Sequence, residues 1–287
     1  MSAADHLKHP LARTDVLPGR GRLPLLLSVP HSGRDYPRWL LDLSRRGGAS
    51  LEPLEDPFVD RLVWRVQALG VGAVIARAPR AAIDCNRSPA ELDTSIVAAA
   101  PDGDPGIRAR SGLGIVPART PQHGELWRRK VTRGDYEARI AQVHAPYHQA
   151  LADELAALHR AHAEVLLLDC HSMPPRAGTA PSIVLGDRHG ASCAPWLGDL
   201  ARRSIEQAGV PAAFNDPYAG GWIVERHGRP AEGIHALQIE IDRRLYLDQA
   251  LRQPGPGFDG IARLLESLAA TLGEALLDRH RLPLAAE

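Results

Sequence analysis

The sequence predicts an α/β fold: a single domain whose mainly parallel mixed sheet is flanked by helices. Three observations carry that expectation. The run Val165-Leu166-Leu167-Leu168 is aliphatic, follows polar helix-like sequence, and breaks into Asp169-Cys170-His171-Ser172. A short aliphatic run of this kind fits a strand buried on both faces. Leu23-Pro24-Leu25-Leu26-Leu27-Ser28-Val29 repeats the design and ends in Pro30-His31-Ser32-Gly33. Segments with apolar residues every three or four positions separate such runs, the pattern of parallel strands joined by helical crossovers.

In chain order, residues 1–22 read as a polar extended arm ahead of a domain at 23–287, with the first strand at 23–29. Asp56-Pro57, followed by Phe58, Val59, Leu62, Val63 and Val66, predicts a helix ending near Leu69. Asp56 is its N-cap candidate and Pro57 its first helical residue. Residues 71–76 read as a strand and 82–89 as a further strand or its loop. The Gly- and Pro-containing stretch 99–125 reads as a long irregular segment, of a length usually functional or disordered. Ile140, Val143, Tyr147, Leu151, Leu155 and Leu158 mark a helix from about 136 to 162, bent or split at Pro146. Strands at 182–186 and 234–242, a helix at 194–208, a turn-rich loop at 215–222 and a closing helix at 260–279 complete the reading. In the later strand Leu237, Ile239 and Ile241 alternate with Gln238, Glu240 and Asp242, so one of its faces is polar.

With 34 basic and 34 acidic residues, the chain carries no net field to draw nucleic acid or an anionic membrane, and a small-molecule partner is expected. Three cysteines without CxxC spacing argue for a reducing compartment and against a thiolate zinc site or a disulfide framework. No apolar run is long enough to span a bilayer, and the expectation is a cytoplasmic protein. Gly-x-Ser-x-Gly, Walker A and Rossmann glycine patterns are absent.

Open α/β sheets place their chemistry beyond the carboxyl ends of strands, and here two strands each deliver a histidine, His31 and His171. Neighbouring strand residues point to opposite faces, so Cys170 and His171 do not form a nucleophile–base pair. The histidines read as metal ligands, with a structural role as the alternative for each taken singly. Asp56 offers a third ligand, although N-capping also accounts for it. Glu240, on the polar face of its strand, supplies a carboxylate for proton transfer, or a salt bridge to Arg243 or Arg244. Asp84-Cys85-Asn86-Arg87 joins a neutral amide to a planar cationic fork, a pairing suited to a carboxylate ligand. An exposed surface arginine is the alternative there.

Taken in order, Pro30-His31-Ser32-Gly33, residues 56–62, Asp84 to Arg87, Asp169-Cys170-His171-Ser172 and Gln238-Ile239-Glu240-Ile241 resemble the N-formylglutamate amidohydrolase family, over roughly residues 23–248. That family is similar to zinc carboxypeptidases and aspartoacylases, which implies a zinc-carboxypeptidase-like fold and one divalent metal, Zn2+. The resemblance implies His31, Asp56 and His171 as zinc ligands, Asn86 and Arg87 as the substrate-carboxylate site, and Glu240 as general base. Arg119, in the Gly-rich segment, is the candidate for a second carboxylate. In carboxypeptidases the acidic ligand follows the first histidine by three residues; that position is Arg34 here, with Asp35 next, so Asp56 and Asp35 both stand for this ligand. The implied substrate is a small acidic N-acyl amino acid, N-formyl-L-glutamate in the family, giving formate and L-glutamate. The rival readings are a non-catalytic carboxylate-binding protein that keeps the arginine pocket without the metal, and a related zinc amidase or carboxypeptidase with a different N-acyl or peptide substrate; the sequence leaves the oligomeric state open.

Overall fold

The computed structural model describes residues 11–98, 106–176, 178 and 180–279. Residues 1–10 of the expected arm and 99–105 of the expected irregular segment lie outside them. The strands are β1 (Thr14–Leu17), β2 (Leu25–Val29), β3 (Gly72–Ala76), β4 (Arg119–Thr120), β5 (Gly124–Glu125), β6 (Val165–Met173), β7 (Ile183–Gly186), β8 (Ala212–Phe214) and β9 (Ile234–Asp242). The helices are α1 (Arg38–Leu43), α2 (Val59–Leu62), α3 (Trp64–Ala68), α4 (Gly106–Arg110), α5 (Arg133–Arg139), α6 (Ala145–Ala161), α7 (Pro195–Gln207), α8 (Trp222–His227) and α9 (Phe258–Arg279). The α/β reading holds: seven strands form one mixed sheet in the order β1-β3-β2-β6-β9-β7-β8, and β4 and β5 make a separate two-stranded ribbon. No helix among the described residues is long and apolar enough to cross a membrane.

The chain divides into two compact units. One takes in Pro30–Glu55, Ile75–Gln149 and the chain up to Asp15; the other takes in Val16–Val29, Asp56–Val74 and the chain from Ala150 onward. The second unit holds the centre of the sheet, where β2, β6 and β9 run parallel. Every residue of these three strands is buried, as expected of parallel strands covered on both faces. The register sets Ser28 beside Asp169, Asp169 beside Gln238, and His171 beside Glu240. β7 then runs antiparallel to β9 and parallel to β8. Along α9, Ile261, Leu265, Leu268, Leu272 and Leu276 are buried at the spacing of one helical face. A Cβ at Gly273 would come within 2.7 Å of Leu25 Cδ1, so this glycine lets α9 lie close against β2.

In the first unit, the expected long helix is interrupted by a π-helical turn, Ile140–His144, between α5 and α6. Pro146 lacks an N–H and its ring crowds the carbonyl four residues earlier; a wider turn just ahead of it relieves both problems. Thr132 caps α5 by accepting a hydrogen bond from the Asp135 amide, the usual role of a threonine at a helix start.

Several expectations are corrected. Residues 14–17, expected as arm, form β1 at the sheet edge. The helix expected from 56 to 69 is two short ones, and α2 begins after Phe58, whose φ is 60°. Phe58 and not Asp56 is thus the N-cap of α2, and the Asp56 carboxylate meets His171. α4 and the β4-β5 ribbon lie inside the segment expected to be irregular. β6 runs on past His171 to Met173, its polar residues meeting buried partners. β8 and α8 flank the 215–222 loop without a sequence pattern that announces them.

Leu168 is fully buried and lies on the face of β6 opposite Asp169 and His171. Leu168→Ala is expected to cost about 2–5 kcal/mol of stability, read by urea denaturation, with the polar face of β6 left intact.

Candidate metal centre

Alternation along β6 puts Asp169 and His171 on one face and Cys170 on the other. His171 is 2% exposed, and both ring nitrogens are engaged: Nδ1 lies 3.0 Å from Asp56 Oδ2 and Nε2 2.9 Å from Asp169 Oδ2. Asp169 is itself fixed by Ser28, whose Oγ donates to Asp169 Oδ1 at 2.6 Å. Arg243 donates to Ser172 Oγ at 3.2 Å and to Asp56 Oδ1 at 3.4 Å. Burial disfavours a cationic His171, but Asp169, Asp56 and Glu240 outweigh it and raise its pKa well above 6.5. Burial and Asp169 push the Cys170 thiol upward, so it stays protonated and takes no part as a thiolate. Glu240 is 8% exposed and accepts from Gln238 Nε2 at 2.8 Å, while Gln238 Oε1 accepts from the Gly221 amide at 2.9 Å.

The first unit repeats the arrangement around His31. That ring is 1% exposed, and its Nε2 lies 2.8 Å from Asp84 Oδ1. Asp84 also accepts from Arg80 Nε at 2.8 Å and from the Asn86 amide at 2.8 Å. Burial opposes ionisation of Asp84, yet Arg80, His31 and Arg87 hold its carboxyl well below the usual range. The chain after His31 packs tightly: a Cβ on Gly33 would collide with the carbonyls of Arg77 and Ala78. Arg87 is 9% exposed, which removes the surface reading. Its Nε donates to Leu113 O at 2.8 Å and its Nη1 to Asn86 O at 2.7 Å; among the described residues its Nη2 makes no hydrogen bond. Arg119 is exposed, with Nε donating to Ser111 O at 2.9 Å and Nη2 to Arg110 O.

Among the described residues, one group of His, Cys, Asp and Glu could hold a metal ion: His31, Asp56 and His171. All three are buried, and each offers a ligand atom within 4.8 Å of the others. Asp35, the other candidate for the acidic position, is exposed and is not in the group. Two imidazoles and one carboxylate form a donor set that suits a divalent ion. The carboxylates behind the rings are the second signature, because metal-bound histidines ordinarily donate their other N–H to such a partner. Ser28 and Gln238 are not among the site residues that the sequence offers, because their roles depend on partners that only the strand register brings beside them.

The lowered Asp84 pKa makes its ionisation a stabilising contribution that is present above 3.8 and is lost as pH falls from there toward the folded value. Asp84→Asn is accordingly expected to flatten the acid limb of the stability–pH curve of the metal-free protein, measured by urea titration at successive pH values.

The family model for N-formylglutamate amidohydrolase matches residues 23–247. An N-formylglutamate deformylase of Pseudomonas putida is 30% identical over 266 residues, covering 90% of this chain and 94% of the relative. One from Pseudomonas aeruginosa is 29% identical over 239 residues, covering 80% and 84%. The crystal structure of N-formylglutamate amidohydrolase from Ralstonia eutropha JMP134 superposes with a TM-score of 0.86 at 31% identity, covering 95% of this chain and all of that one. With a matching fold, a family match over most of its length and relatives of nearly the same extent, the chain belongs to the N-formylglutamate amidohydrolase family.

Proposed function

We propose that this chain is a metal-dependent amidohydrolase that converts N-formyl-L-glutamate and water to formate and L-glutamate. The observation that carries the reading is the meeting of two carboxylate-backed histidines, His31 and His171, with Asp56. Family membership and the names of the relatives supply the substrate class. Zn2+ is the ion we assign, since two nitrogen donors and one oxygen donor with room for a water are the usual catalytic zinc set. Such an ion, when bound, lowers the pKa of its water to about 7 and polarises a carbonyl oxygen.

The chain's own residues do the rest. Glu240 takes the proton of the attacking water and returns it to the leaving nitrogen. Gln238 holds that carboxylate by donating to it, and Glu240 lies beside His171 across the β6–β9 register. Arg87 presents its Nη2, which makes no hydrogen bond among the described residues, to one substrate carboxylate, with Asn86 beside it. For the other carboxylate we propose Arg119. A carboxylate makes charge-assisted bonds roughly twice as strong as neutral ones, enough to draw the guanidinium from the carbonyls of Ser111 and Arg110.

Two outcomes test this reading. Chelation should abolish formate release from N-formyl-L-glutamate and added zinc should restore it, while Glu240→Gln should keep its zinc and lose about 10²–10⁴-fold in kcat. A Gln variant within about tenfold of wild type would place the base elsewhere, and a chelated enzyme at full activity would remove the metal from the mechanism. Absence of zinc together with no turnover of any N-acyl amino acid would favour the non-catalytic carboxylate binder.

Proton competition gives a further check. In the metal-free protein the raised His171 pKa contributes stability that is fully present below 6.5 and is lost as pH rises through the folded value. A ligating nitrogen must shed its proton, so apparent zinc affinity should rise with pH across that window. Calorimetric zinc titrations in two buffers of different ionisation enthalpy would read both the affinity and the protons released.

A further inference from the structure

We infer that the π-turned helix of residues 133–148 positions the substrate anchor, with His144 a positioning residue that acts through Arg87. The inference rests on the reading of Arg87 as the carboxylate ligand.

Three side chains of this helix donate to three backbone carbonyls of the loop that carries Asp84, Asn86 and Arg87. Arg139 Nη1 donates to Ala82 O at 2.8 Å, His148 Nε2 to Cys85 O at 2.9 Å, and His144 Nε2 to Arg87 O at 2.9 Å. A carbonyl oxygen only accepts, so each imidazole must carry its proton on Nε2. All three donors are buried, and the two imidazole centroids lie 4.5 Å apart. The amides of Asp84 and Asn86 are held as well, by Ile115 O at 2.8 Å and by the Asp84 carboxylate. Both edges of the loop are thus fixed, and the helix fixes its carbonyl edge.

The π turn is what makes this alignment available. At about 100° per residue, positions five apart on an α-helix lie roughly 140° from one another, so Arg139 and His144 would address different neighbours. The turn Ile140–His144 widens the repeat to five residues and brings His144 into line with Arg139. His148 follows four residues later, within regular α6. π turns inserted in α-helices are frequent at functional sites. Here the insertion turns a helix face into a row of donors matched to one loop.

His144 occupies the most consequential place in the row, because the carbonyl it holds belongs to Arg87 itself. Release of that carbonyl frees the peptide on which the Arg87 side chain is mounted. The guanidinium would then have to be re-ordered each time it took a carboxylate. Such a loss weakens ground state and transition state alike, and so appears in KM with kcat unchanged.

The experiment is a double-mutant cycle on the zinc-loaded enzyme with N-formyl-L-glutamate, using His144→Ala, Arg87→Ala and the pair. His144→Ala should raise KM by about tenfold with kcat within about twofold and zinc content unchanged. It should add nothing to KM in the Arg87→Ala background, since there is no anchor left to position. His144→Gln, which keeps an N–H near the same place, should recover most of the wild-type KM. An unchanged KM in Arg87→Ala itself would overturn the anchor reading. A raised KM in Arg87→Ala, together with no effect of His144→Ala or an equal effect in both backgrounds, would overturn the positioning inference alone. Should His144→Ala fail to fold, His144→Leu fills the space without a donor and takes its place in the cycle. Failure of both to fold would make the ring a core element and overturn the inference.

Discussion

The structure depends on one constraint: two imidazoles are buried to within a few per cent of complete exclusion from water, and each needs a partner at both nitrogens or a use for the nitrogen that is left. A buried polar group without a partner costs more than a typical hydrogen bond contributes. Asp84 behind His31 and Asp169 behind His171 answer half of that need. Much of the surrounding architecture serves those two carboxylates. Ser28, placed by the register of β2 against β6, holds Asp169; Arg80 and the Asn86 amide hold Asp84. The sequence of the central strand follows from this: a run of aliphatics, then a polar half that is buried as deeply as the apolar one.

That strand also shows what a sequence discloses and what it hides. The aliphatic halves of β2 and β6 and the alternation of β9 were legible because burial on two faces, or on one, leaves a period in the residue types. The polar half of β6 looked like the end of the strand. Asp169, His171 and Ser172 belong inside a sheet only if partners meet them there, and those partners lie more than a hundred residues away, at Ser28 and Asp56. Asp56 looked like a helix cap for the same reason, since the local reading of an aspartate before a proline is complete without a distant histidine. The left-handed Phe58 that separates Asp56 from α2 leaves no local trace.

The elements that escaped notice share a different cause. β8 is three residues, Ala-Ala-Phe, too short to carry any period, and α8 is six. The π turn was half visible: Pro146 announced a disturbance in the helix, but a proline is compatible with a kink, a break or a widened turn. In this chain it is a widened turn, and side chains in and beside it meet the carbonyls of Ala82, Cys85 and Arg87. Arg87 was legible as chemistry and ambiguous as geometry, because burial cannot be read from Asn-Arg alone. Its two carbonyl contacts fix the orientation of the fork.

The register between β2 and β6 has a kinetic consequence. Ser28 and Asp169 are separated by 141 residues, and His171 and Asp56 by 115. Contacts of such separation carry loop-closure entropy that is not offset until the segments have met, and chains rich in them fold slowly. The three donors of the candidate centre are therefore assembled late, from stretches that have no local reason to approach one another. In the unfolded chain they are scattered and bind an ion weakly. An ion taken up by the finished site would stabilise the native chain by mass action and slow its unfolding without speeding its folding, an effect on lifetime.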